Sequence, residues 1–294
     1  MGNLIAQIDQ SPTSIKGIVF IVHGMMEYSQ RYQLLSDFLV RQGFRVIVFD
    51  LPGHGPMASP LGHVPAYSGW SEWLAPYQEA ICTYHRAYPD LPLFLLGHSM
   101  GSYLAQYLAT EYGTMLSGLI LSGTSYVPPL LAQLGRRLTA CLYPKETSTA
   151  TWIHRMTFLG FQRRIASTQT PYDWLSTDAS AVTAYCQDPL CGNVCSSGFF
   201  QALFHGLSIT YTTPSLSKIP LSLPILFLTG QQDPLSRYGK TVQQLISLYR
   251  RLGHTQLTAH FYEAHRHEVL QGHHVHDVYQ DLSQWLSGHL PHHL

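Results

Sequence analysis

Ser99 stands in Gly97-His98-Ser99-Met100-Gly101, directly after the apolar run Leu93-Phe94-Leu95-Leu96 and directly before Ser102–Ala109, a stretch that reads as a helix. A serine on so sharp a strand-to-helix turn needs neighbours without Cβ, so that strand and helix can approach closely. The turn aims Oγ outward at the helix N-terminus, where N–H groups and the helix dipole favour a developing oxyanion. The five-residue pattern alone is common; the strand before it and the helix after it give it weight. Serine is a weak nucleophile until a base takes its proton, and that base needs an orienting acid. Asp233, in Gly230-Gln231-Gln232-Asp233-Pro234, closes the apolar run Leu223–Leu228 and is the acid candidate, although Asp-Pro is also an ordinary turn. Asp188 is a rival that ranks lower, because it precedes the run that should carry the acid. For the base, Ala264-His265-Arg266-His267-Glu268 offers two histidines, and periodicity does not separate them. An oxyanion would take one backbone N–H from Met100 and a second from Met25, which follows His23-Gly24. His23-Gly24 also reads simply as a strand-ending turn.

The elements that must position these residues follow a regular rhythm. Ile15–Val22 and Arg45–Phe49 read as buried strands, with helical spacing from Tyr32 to Val40 between them. A looser helix spans Ser71–Tyr88, then come the strand at Pro92–Leu96, the helix after Ser99 and a strand at Gly118–Gly123. Alternation of strand and helix with short connections predicts a parallel sheet with right-handed crossovers. From Ser125 to about Thr213 the rhythm breaks, with Val127-Pro128-Pro129-Leu130-Leu131, an amphipathic stretch to Leu142, and aromatic segments holding Trp152, Phe158, Phe161, Tyr172 and Trp174. A structureless loop of that length is improbable, so an inserted, mainly helical cap is expected over 125–213, with the core formed by 1–124 and 214–294. The core resumes with a strand ending at Gly230, a helix at Thr241–Arg251, a strand at Leu257–Tyr262 and a helix from Val275 to Leu286. Reactive groups in such sheets gather at the carboxyl ends of strands, where Ser99, Asp233 and the histidine pair all fall.

Composition narrows the function. Lys+Arg and Asp+Glu both total 17, and charged residues are only 12% of the chain, so no nucleic-acid footprint is expected. With 45% apolar residues among 294, one large core plus an insertion is accommodated. The start, Met1-Gly2-Asn3-Leu4-Ile5-Ala6, lacks the basic and apolar regions of a signal peptide and fails the myristoylation pattern at Ala6. The five cysteines, including Cys186, Cys191 and Cys195, lack a strong zinc spacing and read as free thiols of a reducing compartment, so a cytoplasmic location is expected. Seventeen histidines, among them His273, His274, His276, His292 and His293, form no metal-ligand pattern.

Taken together, His23-Gly24-Met25-Met26-Glu27-Tyr28-Ser29-Gln30-Arg31-Tyr32, Asp50-Leu51-Pro52-Gly53-His54-Gly55, the Ser99 pentapeptide, Gly230–Pro234 and Arg266-His267-Glu268 resemble the monoacylglycerol lipase and lysophospholipase-like branch of the α/β-hydrolases, the serine-aminopeptidase-like enzymes. Tyr172–Ser176 and Asp188–Gly192 are similar to motifs of bacterial members, so the resemblance covers nearly the whole chain. It implies an α/β-hydrolase fold with a helical cap, and Ser99, Asp233 and His267 as a triad, the Arg-His-Glu match choosing His267 over His265. It also implies an acyl-enzyme on Ser99, no metal or cofactor, and single-chain lipid esters as substrates, with the cap lining an acyl tunnel and touching lipid surfaces transiently. A short-chain carboxylesterase, an acyltransferase and a non-catalytic ligand-binding protein are the competing readings. Two departures stand out: Tyr28 replaces a frequent family histidine, and at most one strand fits before Ile15.

Overall fold

The computed structural model describes residues 7–291, so His292 and His293 lie outside it. The chain runs β1 (Ile8–Gln10), β2 (Gly17–Val22), a short 3-10 turn, α1 (Gln33–Arg41), β3 (Phe44–Val48), α2 (Gly69–Ala87), β4 (Leu93–His98), α3 (Met100–Tyr112) and β5 (Gly118–Ser122). Then follow α4 (Pro129–Leu142), α5 (Thr151–Thr157), α6 (Ala179–Gln187), α7 (Ser197–Thr210) and α8 (Thr213–Leu216), before β6 (Ile225–Gly230), α9 (Lys240–Arg251), β7 (Leu257–Tyr262) and α10 (His276–Gly288).

The strands form one seven-stranded sheet in the order β1-β3-β2-β4-β5-β6-β7, parallel throughout except for β1 against β3. The apolar runs of β2, β4, β5 and β6 are buried along their whole length, as strands covered on both faces must be. Alternate residues serve opposite cores. Ile18, Phe20 and Val22 face Trp73, Tyr77, Leu104, Leu108, Leu245 and Tyr249, contributed by α2, α3 and α9. Val19 and Ile21 face Leu35, Leu39, Leu282, Trp285 and Leu286 of α1 and α10.

Most boundaries shift by a residue or two from expectation, and two of the shifts bear on the site and its surroundings. β4 continues past Leu96 to His98, because the Ser99 N–H still donates to Ser122 O at 2.9 Å and carries the ladder up to the turn. α2 begins at Gly69, ahead of Ser71, where a side chain would collide with Val64. Between β5 and β6 the regular elements are all helices, joined by irregular stretches of which 158–178 is the longest, with an isolated bridge between Thr149 and Ser196. α4 packs along α7, and α7 buries Phe199, Phe200, Leu203 and Leu207. One face of α4 is left bare: Leu130, Leu131, Leu134, Leu138 and Leu142 are all exposed. All five cysteines are free thiols. Among the described residues no helix is long and apolar enough to cross a membrane.

The junction between α7 and α2 is tight. A Cβ at Gly206 would enter the Trp70 ring, which is itself buried. Gly206→Ala should therefore cost about 1–3 kcal/mol despite the better helix propensity of alanine. A urea midpoint equal to wild type would show that the junction yields without strain.

Candidate active site

Four loops at the carboxyl ends of β2, β4, β6 and β7 converge, and the turn after β4 is the most constrained. Ser99 has φ 51° and ψ −120°, a backbone that side-chain-bearing residues seldom adopt. It is held by its own N–H on Ser122 O, and by its carbonyl, which accepts from the Ser102 N–H at 2.9 Å and the Ser102 hydroxyl at 2.6 Å. The flanking glycines are required by backbone proximity: a Cβ at Gly101 would strike the carbonyls of Val22 and His23, and one at Gly97 the carbonyl of Gly101.

His267 lies on the loop after β7 with its ring buried between two partners. Its Nε2 is 2.9 Å from Ser99 Oγ, and its Nδ1 is 3.1 Å from Asp233 Oδ2. Asp233 is fully buried, and its Oδ1 accepts the Leu235 N–H at 2.8 Å. That arrangement assigns the Nδ1 proton to the Asp233 side and leaves Nε2 to accept from serine. Burial works against the imidazolium, but the adjacent Asp233, helped by Glu268 and Glu27, raises the His267 pKa above its ordinary 6.5. The two rivals are elsewhere. His265 Nε2 lies 2.8 Å from His274 O, and Asp188 Oδ2 accepts the Tyr28 hydroxyl at 2.9 Å.

The loop after β2 is shaped by Glu27, whose Oε1 accepts the Gly24 N–H at 2.5 Å and the Tyr32 hydroxyl at 2.7 Å. The next amide, Met25, lines the same cavity as Met100 and Ser99. Met100 opens α3, so its N–H has no partner within the helix. Met25 and Met100 thus both border the cavity that holds Ser99. Residue patterns did not single out what holds this loop to the histidine loop. Arg31 donates to Glu27 Oε2 at 2.8 Å and to both oxygens of Glu268, at 2.6 and 3.0 Å. Burial alone would raise the Glu27 carboxyl, but Arg31, with His98, His23 and the Tyr32 hydroxyl, brings it down to about 2.

Residues between β5 and β6 complete the site. The His267 and Glu268 amides donate to the carbonyls of Trp174 and Leu175, and Arg266 donates to the carbonyls of Asp173 and Ser176 at 2.6 and 2.8 Å. The Trp174 ring lies 5.1 Å from that of His267 and stacks on Phe158. Val127, Phe158, Leu203, Phe204 and Leu207 close an apolar cavity of about 150 Å³ over Ser99. A serine hydrogen-bonded to a histidine, that histidine held by a buried carboxylate, and an apolar recess over them make acyl transfer the chemistry the arrangement can perform.

A mostly parallel sheet with a strained serine after β4, an acid after β6 and a histidine after β7 defines the α/β-hydrolase class. The chain belongs to the serine aminopeptidase S33 family, whose model matches residues 13–273. It is 28% identical over 220 residues to monoglyceride lipase of Rattus norvegicus, a match covering 75% of this chain but 66% of that protein, just under two thirds. It is 24% identical to monoacylglycerol lipase of Mycolicibacterium smegmatis, over 95% of this chain and 90% of that one. Among solved structures, a thermostable carboxyl esterase from Bacillus coagulans in complex with glycerol superposes with a TM-score of 0.82 at 28% identity, covering 95% of this chain and 92% of its own.

The buried histidines set the response to acid. Burial lowers the pKa of His23, brings His54 to about 3 and brings His98 to about 4, all below the ordinary 6.5. The unfolded chain therefore takes up these protons first, and stability is lost from pH 6.5 downward at about 1.4 kcal/mol per pH unit for each histidine. His267 has the opposite sign: its raised pKa gives stability that is full below 6.5 and lost as pH rises through its folded value. Three outweigh one, so the urea midpoint should fall between pH 7 and pH 5, and His54→Gln should shrink the fall. A flat profile over that range would mean that these histidines are not held neutral.

Proposed function

We propose that this protein is a carboxylic ester hydrolase acting on single-chain lipid esters, monoacylglycerols or lysophospholipids, through an acyl-enzyme on Ser99. The observation that carries the reading is the Ser99–His267–Asp233 hydrogen-bond chain opening onto an apolar cavity. The names of the rat and mycobacterial relatives support the substrate class. In this mechanism Ser99 Oγ attacks the ester carbonyl as His267 Nε2 takes its proton, while Asp233 holds the tautomer and steadies the imidazolium. The tetrahedral oxygen is received by the Met25 and Met100 amides. His267 then protonates the departing alcohol, and a water, activated by the same histidine, releases the fatty acid.

In the same reading 125–213 is a cap on a core made of 1–124 and 214–294, and the protein is cytoplasmic and visits lipid surfaces. The bare leucines of α4, with Trp152, Met156 and Leu159 exposed nearby in sequence, suit shallow insertion among acyl chains. A second reading, a short-chain carboxylesterase, is favoured by the cavity. At about 150 Å³ it matches the size of an engineered cavity that takes up benzene, so a long chain requires the cap to open.

Hydrolysis of p-nitrophenyl esters from C2 to C16 separates the two. Lipase action predicts a maximum at medium or long chains, whereas activity confined to C2–C4 would establish the short-chain reading. Ser99→Ala should lose at least about a thousandfold in kcat on every ester, and an unaffected rate would remove Ser99 from the mechanism. Leu134→Glu should leave hydrolysis of a soluble C4 ester unchanged while reducing hydrolysis of vesicle-borne monoacylglycerol several-fold. Equal rates on vesicles would free α4 of a membrane role.

A further inference from the structure

On the far side of the His267 loop lies a second recess, of about 310 Å³, that the ester chemistry does not use. Its walls are Arg164 and Phe161 from the segment after α5, Gln231, Gln232 and Tyr238 from the loop after β6, and Arg266. No carboxylate-bearing residue lines it. Among the described residues only two arginines are paired with carboxylates: Arg31 with Glu27 and Glu268, and Arg45 with Asp9. Arg164 and Arg266 are among those with no carboxylate within 4.0 Å, and they line the same recess. In a chain with so few charges, two guanidiniums in one recess, with only Arg266 opposed by a neighbouring carboxylate, Asp173, are a local concentration of positive potential.

Their geometry leaves donors free. Arg266 spends only one terminal nitrogen, on the carbonyls of Asp173 and Ser176, so Nε and the other terminal nitrogen remain. The Arg164 guanidinium lies 4.0 Å from the centroid of the Tyr238 ring, an interaction that orders its plane without consuming an N–H. Tyr238 is brought there by an unusual backbone: Arg237 and Tyr238 have φ of 49° and 60°, fastened by the Tyr238 N–H on Asp233 O at 2.8 Å. A planar fork of N–H donors with amide and phenol groups beside it matches a tetrahedral oxyanion, which can accept from several directions at once.

We propose that the recess bounded by Arg164, Tyr238 and Arg266 is a binding site for a phosphate group, separate from the ester-cleaving centre. Arg266 directly precedes His267 and Phe161 packs on Trp174, 5.0 Å between ring centroids, so a bound phosphate bridges the α5–α6 segment to the loops carrying Asp233 and His267. Two sources supply that chemistry: a free phosphomonoester or inorganic phosphate, and the head group of an anionic phospholipid.

The test pairs two measurements on wild type and Arg164→Gln, a change that removes the charge from an exposed side chain. The first is thermal stabilisation by inorganic phosphate and by glycerol 3-phosphate against sodium chloride of equal ionic strength. The second is co-sedimentation with phosphatidylcholine vesicles, with and without phosphatidylglycerol. Phosphate should raise the wild-type melting temperature beyond the chloride control, and Arg164→Gln should weaken its apparent affinity about tenfold or more. Arg164-dependent stabilisation without a vesicle preference assigns the site to small phosphates. An Arg164-dependent preference for phosphatidylglycerol, with or without that stabilisation, assigns it to the head group. Responses of Arg164→Gln equal to wild type in both measurements, or no wild-type response in either, overturn the proposal. Hydrolysis of a soluble C4 ester by Arg164→Gln should stay within twofold of wild type, which separates this site from the fate of the Ser99 mechanism.

Discussion

The turn at Ser99 is the constraint on which the rest of the site depends. A left-handed backbone at a residue with a side chain persists only where its surroundings over-determine it. Here they do so through the close approach of α3 to the end of β2, with Gly101 against the carbonyls of Val22 and His23. The same approach brings the loop after β2 alongside the serine, so the demand that strains Ser99 also sets where the Met25 amide lies. Sheet register then does the rest. β2 and β4 are neighbours and end level, Val22 beside Gly97, while β6 and β7 end level at Gly230 beside Tyr262.

A second constraint is electrostatic. Arg31 is buried with Glu27 and Glu268, and removing charges from water costs more than an isolated pair returns. Such a cluster is poor evidence of stability and better understood as a positioning device, because every donor and acceptor in it is directional. Glu27 holds the Gly24 amide and Glu268 is the residue after His267, so one guanidinium ties the loop after β2 to the loop carrying His267. His98, beside the serine, has its pKa lowered by burial in the same environment, whereas the Asp233 carboxylate raises that of His267.

The helices between β5 and β6 contribute more than a cover. Trp174 and Leu175 accept hydrogen bonds from the His267 and Glu268 amides, so the base is braced by the insertion as well as by the sheet. Movement of that segment to admit a long acyl chain would therefore be felt at the base. Phe161 and Arg164, on the stretch just before Trp174, line the recess proposed for phosphate, so a ligand there would touch the same segment.

Local order alone made much of this legible. Continuous β-branched and aliphatic runs announced the buried parallel strands, helical spacing announced α1, α3 and α9, and glycines on both sides of Ser99 announced the turn, because each of these is encoded by residues adjacent in the chain. Which histidine meets the serine was open from the residue pattern, and only resemblance favoured His267, whereas Asp233 already ranked above Asp188 by its place after a strand. Ser99 and His267 are 168 positions apart, and their meeting depends on the sheet order and on bracing by the insertion. The small cavity, the buried Arg31 cluster and the unpaired arginines at 164 and 266 belong to the tertiary structure for the same reason. Each is made by side chains from separate elements, whose distances are set by packing and leave no periodic trace in the sequence.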